Sequence, residues 1–355
     1  AQGEFTGVKI INAYHKSRGD LKRTRVLIPD SAHGTNPATC SMVGLEVVHL
    51  PSDARGNVDL VALHEICDDT VAGLMLTNPN TLGLFDENVS EVIEIVHAAG
   101  GLVYGDGANL NALLGIARPG DLGFDVMHFN LHKTFSTPHG GGGPGSGPVV
   151  VTSQLADFLP SPVVGIVEPG TEDLPPLYGF TTPTMSIGRV KTFYGQFGML
   201  VRAYTYIRMN GSDGLRRISE FAVLNANYLL SKVRGKYTLP YNRTCMHEFV
   251  VEGVWPEVTD IHALDIAKRL MDYDFHPPTN YFPLIVHEAL MIEPTETENK
   301  QTLDAFADAL LKIAEEAHTD PELLKNAPHN TPVSRLDEVK AAKELVLCCW
   351  LPENE

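Results

Sequence analysis

The chain has 355 residues, 43% of them hydrophobic, which is enough to fill the cores of one large domain and a smaller one. Its 44 acidic residues outnumber the 27 basic ones, and the formal net charge of -17 disfavours general binding to nucleic acid or to an anionic membrane. The five cysteines (Cys40, Cys67, Cys245, Cys348 and Cys349) lack C-x-x-C spacing and no apolar run approaches roughly 20 residues, so neither a metal site nor a membrane span is expected.

Short apolar runs alternate with helical stretches over the first 150 residues. Six runs predict strands, at residues 25–28, 47–50, 72–76, 101–104, 125–129 and 148–151. Strands that are apolar on both faces and separated by helices predict an α/β fold with a mainly parallel sheet covered on both sides. Ligands of such sheets bind beyond the carboxyl ends of the strands, so polar residues there are the candidates for function.

The second half of the chain predicts a surface excursion followed by a smaller unit. Residues 155–183 are rich in proline, glycine and acidic groups, which is typical of an exposed connection. Helices are predicted at 189–210, 214–236 and 296–317, and two further strands at 248–251 and 282–285. We therefore expect a large domain over residues 1–235 and a small C-terminal domain and tail over 236–355.

Lys133 follows the fifth predicted strand and precedes a glycine run at residues 140–147. A lysine after a strand is ordinarily a solvated surface residue, but in a partly dry pocket its free amine can form a Schiff base with an aldehyde. The glycine run matches neither common nucleotide-binding pattern. Such a permissive backbone could instead form a mobile lid or admit a bulky partner arm.

Polar residues at the ends of neighbouring strands fit a pyridine ring beside this lysine. Asp106 lies between two glycines at a strand end, and a buried carboxylate there would keep a pyridine nitrogen protonated, although a turn or helix cap is its other reading. His33 follows the first strand and could stack on the ring, or could be an ordinary core histidine. Asn109 and either Asn78 or Asn80 could donate to a phenolic oxygen.

A phosphate anchor is predicted at the start of the chain. Ala1, Gln2 and Gly3 directly precede a helical pattern, and backbone N–H groups at a helix start bind phosphate without a basic side chain. The side chains that could complete this cradle are Asn130, His132 and Thr134. A frayed chain end is the alternative interpretation of the first residues.

These motifs closely resemble the P-protein of the glycine cleavage system. The matching stretches include DSAHGTNPA at 30–38, LTNPNTLG at 76–83, GDGANLNA at 105–112, NLHKTF at 130–135 and PHGGGGPG at 138–145, with further matches at 186–189, 246–249 and 293–298. The resemblance spans nearly the whole chain and falls on the lysine-bearing half of the family. It departs at the front, where the family continues upstream, so we expect the large domain to be N-terminally incomplete.

The resemblance implies a fold-type-I pyridoxal-phosphate-dependent transferase fold, with pyridoxal 5'-phosphate held by Lys133 and with Asp106 and His33 as catalytic residues. It implies that the enzyme decarboxylates glycine, releases carbon dioxide and passes the aminomethyl group to the lipoyl arm of the H-protein. The implied partners are lipoylated H-protein and the other half, or subunit 1, of the P-protein, in an (αβ)2 assembly or a homodimer of fused chains. The compartment would be the cytoplasm in a bacterium or the mitochondrial matrix in a eukaryote.

Two alternatives stay open at this point. Another enzyme of the same fold, such as a cysteine desulfurase or an amino-acid decarboxylase, would use the same lysine, aspartate and histidine. A desulfurase also needs a mobile nucleophilic cysteine, for which Cys348 and Cys349 have no evident route to Lys133. A non-catalytic scaffold half is the second alternative, although such a half should have lost its Schiff-base lysine.

Overall fold

The computed structural model describes residues 1–258 and 260–347. At its centre is a six-stranded sheet, made of β1 (Arg25–Pro29), β2 (Glu46–Leu50), β3 (Val71–Thr77), β4 (Leu102–Gly107), β5 (Val126–Phe129) and β6 (Val149–Val151). The strand order is β2-β1-β3-β4-β5-β6, with the first five strands parallel and β6 antiparallel to β5. All six predicted strands and the mainly parallel sheet are confirmed.

Helices cover both faces of this sheet, as its apolar strands require. They are α1 (Gln2–Ser17), α2 (Thr35–Val43), α3 (Leu60–Ile66), α4 (Val89–Ala98), α5 (Pro119–Leu122) and α6 (Leu131–Thr134). Residues of α1 and α2 share one buried cluster with Met75, whereas residues of α3 and α4 share another with Leu74. Because successive side chains of a strand point to opposite faces, β3 contributes to both cores and is buried along its whole length.

The predicted surface excursion contains an antiparallel hairpin. Its strands are β7 (Val163–Glu168) and β8 (Leu177–Thr181), and most of their side chains are exposed. The helix α7 (Phe197–Val233) follows, with non-helical backbone at Gly211, where φ is 65°. The break between two helices is thus confirmed, although the first begins at Phe197 rather than at residue 189. No helix within residues 1–258 and 260–347 is long and apolar enough to cross a membrane.

A smaller unit follows α7 and has its own core. Its three antiparallel strands are β9 (Phe249–Glu252), β10 (Thr279–Asn280) and β11 (Ala289–Ile292), in the order β10-β11-β9. Its helices are α8 (Ala263–Met271), α9 (Lys300–Thr319), α10 (Pro321–Lys325) and α11 (Glu338–Lys343). The end of α7 packs into this core through Leu229, Leu230 and Val233, so the predicted boundary after residue 235 stays a prediction.

One predicted strand of the smaller unit is wrong. Residues 282–285 form no strand; the pairing partner of β9 is β11 instead. Pro283 has no N–H to donate to a ladder, and Tyr281 has a positive φ of 60°, which turns the chain away from extended geometry. The apolar run of β11, only four residues long, was missed by the pattern analysis.

The two units meet at the loop after β3, and Gly83 fixes this contact. A Cβ on Gly83, whose φ is 74°, would lie 1.8 Å from the carbonyl oxygen of Glu248, so only glycine allows this approach. The N–H of Met246 donates to the Gly83 carbonyl at 2.7 Å. This contact holds Glu248, which precedes β9, at the carboxyl edge of the large sheet.

Candidate active site

An open cavity of about 1400 Å³ lies beyond the carboxyl ends of β1, β3, β4 and β5, where the sheet rule places a ligand. The predicted site residues that line it are Ala1, Gln2, Gly3, His33, Asp106, Asn109, Asn130, His132 and Lys133. Asn80 does not belong to this lining. Residues that the sequence analysis assigned to one site, up to 132 positions apart in the chain, thus line one cavity in the fold.

Lys133 lies on α6, a single helical turn that directly follows β5. Its side chain is exposed to the cavity, and within the described ranges 1–258 and 260–347 its ammonium group has no hydrogen bond or ion pair. The charge of Lys133, after burial, lowers the pKa of His33. A lysine amine in this position is accessible to an aldehyde that enters the cavity.

Asp106 is buried at the end of β4, and its partner on the next strand is His128. Oδ1 of Asp106 accepts a hydrogen bond from the N–H of Ala108 at 3.0 Å and lies 3.5 Å from Nε2 of His128. Nδ1 of His128 is 2.5 Å from the hydroxyl of Tyr104. Burial lowers the pKa of His128, so its imidazole is held neutral between these two partners.

Glu4 extends this buried group from the first turn of α1. Its Oε1 lies 3.9 Å from Nε2 of His128 and accepts a hydrogen bond from the Thr35 hydroxyl at 3.2 Å. Burial, and then the charge of Asp106, raise the pKa of Glu4. Sequence reasoning missed both Glu4 and His128; the register that pairs His128 with Asp106 across β4 and β5 was the signal that could have found the histidine.

His33 reaches the cavity from the loop after β1. Its Nδ1 is 2.8 Å from the Thr35 hydroxyl, which orients the ring, and its edge contacts the ring of Phe282 with centroids 5.5 Å apart. Burial and the charge of Lys133 lower its pKa, so the imidazole is neutral. A neutral, oriented imidazole is compatible with stacking on a flat ring.

Asn80 and Asn109 are already occupied by hydrogen bonds, whereas the buried amide nitrogen of Asn78 has no partner among the described residues. Asn80 donates to the Gly56 carbonyl at 2.9 Å and accepts from the N–H groups of Leu82 and Leu84, so it holds its own loop in shape. Asn109 donates to the Pro79 carbonyl at 2.9 Å and to Oε1 of Glu248 at 3.3 Å. Asn109 faces the cavity, whereas the predicted cofactor contact of Asn80 has no support in this geometry.

A possible phosphate cradle lies where α1 begins. The first turn of this 16-residue helix packs against the end of the glycine run, and a Cβ on Gly3 would come 2.6 Å from the Gly147 carbonyl oxygen. The buried Oγ1 of Thr134, which also lines the cavity, has no hydrogen-bond partner among the residues that the structure describes. Free N–H groups and an unpaired hydroxyl are what a phosphate group needs.

A second group of ionisable side chains, not found by sequence reasoning, lies beside Lys133. Nε2 of His247 is 3.7 Å from Oε1 of Glu248 and 3.9 Å from Oε1 of Glu293. Burial lowers the pKa of His247 to about 3, while burial and the charge of Glu293 hold the pKa of Glu248 well above its usual range. Although these groups lie within ion-pair distance, burial therefore disfavours the charged form of each.

Comparisons with known proteins show which family the chain resembles. Residues 218–329 match the model of the family described as "Glycine dehydrogenase, C-terminal domain". A protein of Caldanaerobacter subterraneus subsp. tengcongensis, named "Probable glycine dehydrogenase (decarboxylating) subunit 2", is 60% identical over 347 residues, which cover 98% of this chain and 70% of the relative.

The chain belongs to the glycine dehydrogenase (decarboxylating) subunit 2 family. A solved structure of a glycine decarboxylase (P-protein) of the glycine cleavage system, in inhibitor-bound form, is 19% identical with a TM-score of 0.72, and the match covers 88% of this chain and 70% of that one. Such low identity establishes the fold alone, which is the expected fold-type-I transferase fold.

The fold by itself does not separate this glycine dehydrogenase subunit from the desulfurase alternative. An apo cysteine desulfurase of Thermococcus onnurineus NA1 matches with a TM-score of 0.63 and 16% identity, covering 88% of this chain and 78% of that one. Cys348 and Cys349, on which that alternative depends, lie outside the described residues. The other cysteines, Cys40, Cys67 and Cys245, do not line the cavity. The family is therefore decided by sequence identity and not by fold.

Proposed function

We propose that this chain decarboxylates glycine with pyridoxal 5'-phosphate and transfers the remaining aminomethyl group to the lipoyl arm of an H-protein, acting together with a subunit 1. The observation that carries the proposal is the exposed Lys133 amine in a cavity whose wall also presents the buried Asp106 carboxyl. Membership of the glycine dehydrogenase family supplies the reaction that this pairing would serve.

The residues of the cavity fit the cofactor. Lys133 would hold it covalently, and the start of α1 with the unpaired hydroxyl of Thr134 would receive its phosphate. The side chains of Asn130 and His132 lie at the same end of the cavity, where Nδ1 of His132 accepts from the N–H of Ser146 at 3.2 Å. These features support a phosphate bound mainly by backbone N–H groups and hydroxyls.

Asp106 and His33 would contact the cofactor ring. The Asp106 carboxyl would hold a proton on the pyridine nitrogen, and the neutral His33 would cover one ring face. When bound, the cofactor supplies an electron sink for the charge left on the glycine carbon after carbon dioxide leaves. The neutral His128 orients Asp106 without competing for its negative charge.

An exposed apolar surface supports the need for a partner subunit. Phe180 of β8 stacks on Tyr194 with ring centroids 4.4 Å apart, yet their exposed fractions are 57% and 62%. Three further exposed apolar side chains, Val164, Ile166 and Tyr178, belong to the same hairpin, in which Val164 pairs with Phe180 and Ile166 with Tyr178. Contiguous apolar surface of this kind marks protein interfaces. We assign this surface, called here the hairpin surface, to contact with subunit 1.

The reaction is tested by the release of labelled carbon dioxide from carboxyl-labelled glycine. The chain assembled with its subunit 1 and with pyridoxal phosphate should release carbon dioxide slowly alone and much faster with lipoylated H-protein. Unlipoylated H-protein is the matched control, because it docks without offering an acceptor for the aminomethyl group. Equal rates with both forms of H-protein would refute the proposal.

A further inference from the structure

We propose that Glu248 is the proton donor of the transfer step: its carboxylic acid protonates the sulfur that leaves when a lipoyl disulfide accepts the aminomethyl group. The inference rests on the proposed function, because it requires a disulfide as second substrate. It assigns a role to a buried acid that is not among the residues proposed to bind the cofactor.

Glu248 is held in a fixed position at the wall of the cavity. The residue is 3% exposed and still lines the cavity that contains Lys133. Its backbone is fixed by the close contact with Gly83, and its Oε1 accepts a hydrogen bond from Asn109 at 3.3 Å. A fixed acid at the wall of the cavity is what proton transfer to a bound substrate requires.

The groups around Glu248 favour its protonated form. Those that face it are His247, Glu293, Lys133 and, more weakly, Cys245. Burial disfavours the carboxylate most and the negative charge of Glu293 disfavours it further, whereas the charge of Lys133 and the hydrogen bond from Asn109 oppose them. A carboxylic acid whose ionised form is disfavoured in this way can act as a proton donor.

A path for replacing the donated proton leads through Glu293. Its side chain is 41% exposed, so it exchanges protons with water, and Asn111 holds its Oε1 at 3.2 Å. The neutral His247 lies between the two carboxyls, with Nε2 within 4 Å of each. Glu293 is thus the solvent-facing member of a group of three neighbouring side chains that includes the buried acid.

The electron pair on the glycine-derived carbon forms a C–S bond with one sulfur of the disulfide, the S–S bond breaks, and its electron pair goes to the second sulfur. The carbon is oxidised and the disulfide is reduced. The proton of Glu248 goes to the second sulfur, leaving a carboxylate that takes up a proton from solvent. Proton donation neutralises the negative charge that develops on the leaving sulfur, so the donor lowers the barrier.

The test compares Glu248→Gln with Glu252→Gln, which changes a partly exposed glutamate at the other end of β9. The first readout does not depend on enzyme activity. Infrared spectra of the chain without cofactor, recorded in H2O and in D2O, should contain a carbonyl band of a protonated carboxylic acid that shifts in D2O. Because Glu4 is a second buried acid with a raised pKa, this carbonyl band should lose intensity in Glu248→Gln without vanishing, and it should keep its full intensity in Glu252→Gln. Its absence from the unchanged chain at neutral pH would overturn the proposal.

The second readout is single-turnover transfer from glycine to lipoylated H-protein in the assembled enzyme. Glu248→Gln should slow the transfer about 100-fold, the scale of general acid catalysis, while cofactor loading and the absorbance change on glycine binding stay as in Glu252→Gln. A solvent deuterium isotope effect on the unchanged enzyme gives a measurement that does not depend on how the variant folds.

The outcomes separate this inference from the proposed function. Unchanged transfer in Glu248→Gln, a parallel loss of cofactor loading, or no isotope effect would each refute the role of Glu248. If the unchanged enzyme released no carbon dioxide even with lipoylated H-protein, the proposed function itself would be the part that fails.

Discussion

Nε2 of His128 lies 3.5 Å from Oδ1 of Asp106 across two neighbouring strands, and its Nδ1 meets the hydroxyl of Tyr104 at 2.5 Å. All three side chains are buried, so none of them can exchange its partner for water. His128→Phe should therefore lower the free energy of unfolding by about 1–3 kcal/mol, since it leaves buried polar atoms without a partner. Urea denaturation measures this, with the exposed His64→Gln as control; equal losses in both variants would contradict the expectation.

Asp106→Asn tests the carboxyl that would hold the ring proton. The amide keeps the size of the side chain and can still accept from the N–H of Ala108, so the variant should fold and load cofactor. Carbon dioxide release should fall by about 100-fold or more, because a neutral amide does not stabilise a protonated pyridine nitrogen. Asp121→Asn on the surface of α5 is the control. Near-normal turnover in Asp106→Asn would remove this role from Asp106.

The raised pKa of Glu248 makes the stability of the chain depend on pH in a definite direction. In the unfolded chain this carboxyl ionises near its ordinary pKa of about 4.3, while in the folded chain it stays protonated to higher pH. The folded state then binds more protons than the unfolded state. The stability contributed by Glu248 is therefore fully present below the unfolded pKa and is lost as the pH rises through the folded pKa.

Glu248→Gln lacks this loss. As the pH rises above about 4.3, the free energy of unfolding of the variant should therefore rise relative to that of the unchanged chain. Urea denaturation at several pH values measures the difference, and Glu252→Gln, at the end of the strand that Glu248 precedes, should run parallel to the unchanged chain. Parallel curves for Glu248→Gln as well would mean that its carboxyl ionises when folded.

The part of the site that sequence predicted consists of residues placed by local pattern. Lys133 and Asp106 each follow a clear apolar strand, and parallel strands end at one edge of the sheet, so their meeting follows from the fold class. His33 was found in the same way. Asn80 follows β3 equally well, but its amide closes its own loop, and a pattern that predicts the loop does not predict the rotamer.

The part that sequence did not predict depends on contacts between distant segments. In the sequence Glu248 looks like any other glutamate. In the fold it is buried by the loop with Gly83 and by the side chain of Asn109, which is 139 residues away in the chain. Glu4 became part of the site only because α1 packs across the end of the sheet beside His128. Burial of polar residues is a property of tertiary packing, so single-residue patterns carry little signal for it.

The hairpin surface gives a prediction about assembly. Replacing both Phe180 and Tyr194 by serine removes two stacked, exposed aromatic side chains and leaves the buried cores unchanged. Aromatic anchors at the centre of an interface commonly contribute 2 kcal/mol or more, so the affinity for subunit 1 should fall by roughly 30-fold or more. Analytical ultracentrifugation of the mixed subunits measures this, with the exposed Leu21→Ser and Met42→Ser as a control pair. Unchanged association would place subunit 1 elsewhere.

The glycine run beside Lys133 gives the last prediction, because its backbone takes conformations that other residues avoid. Gly141 and Gly142 have φ values of 66° and 103°, and an added Cβ on either would meet no atom within 4 Å. Valine at both positions would thus be resisted by backbone strain and not by crowding. The run would move to another conformation, over the cavity that it lines through Gly142 and Gly143.

If this loop admits the lipoyl arm, the double variant should slow transfer to lipoylated H-protein much more than it reduces cofactor loading or glycine binding. Gly120→Val, at an exposed position on α5 with ordinary φ and no atom within 4 Å, is the matched control for adding a branched side chain. Stopped-flow absorbance follows glycine binding, and labelled carbon dioxide follows transfer. Equal losses in both readouts would mean that the run only supports the cofactor pocket, because a change confined to the access path leaves glycine binding intact.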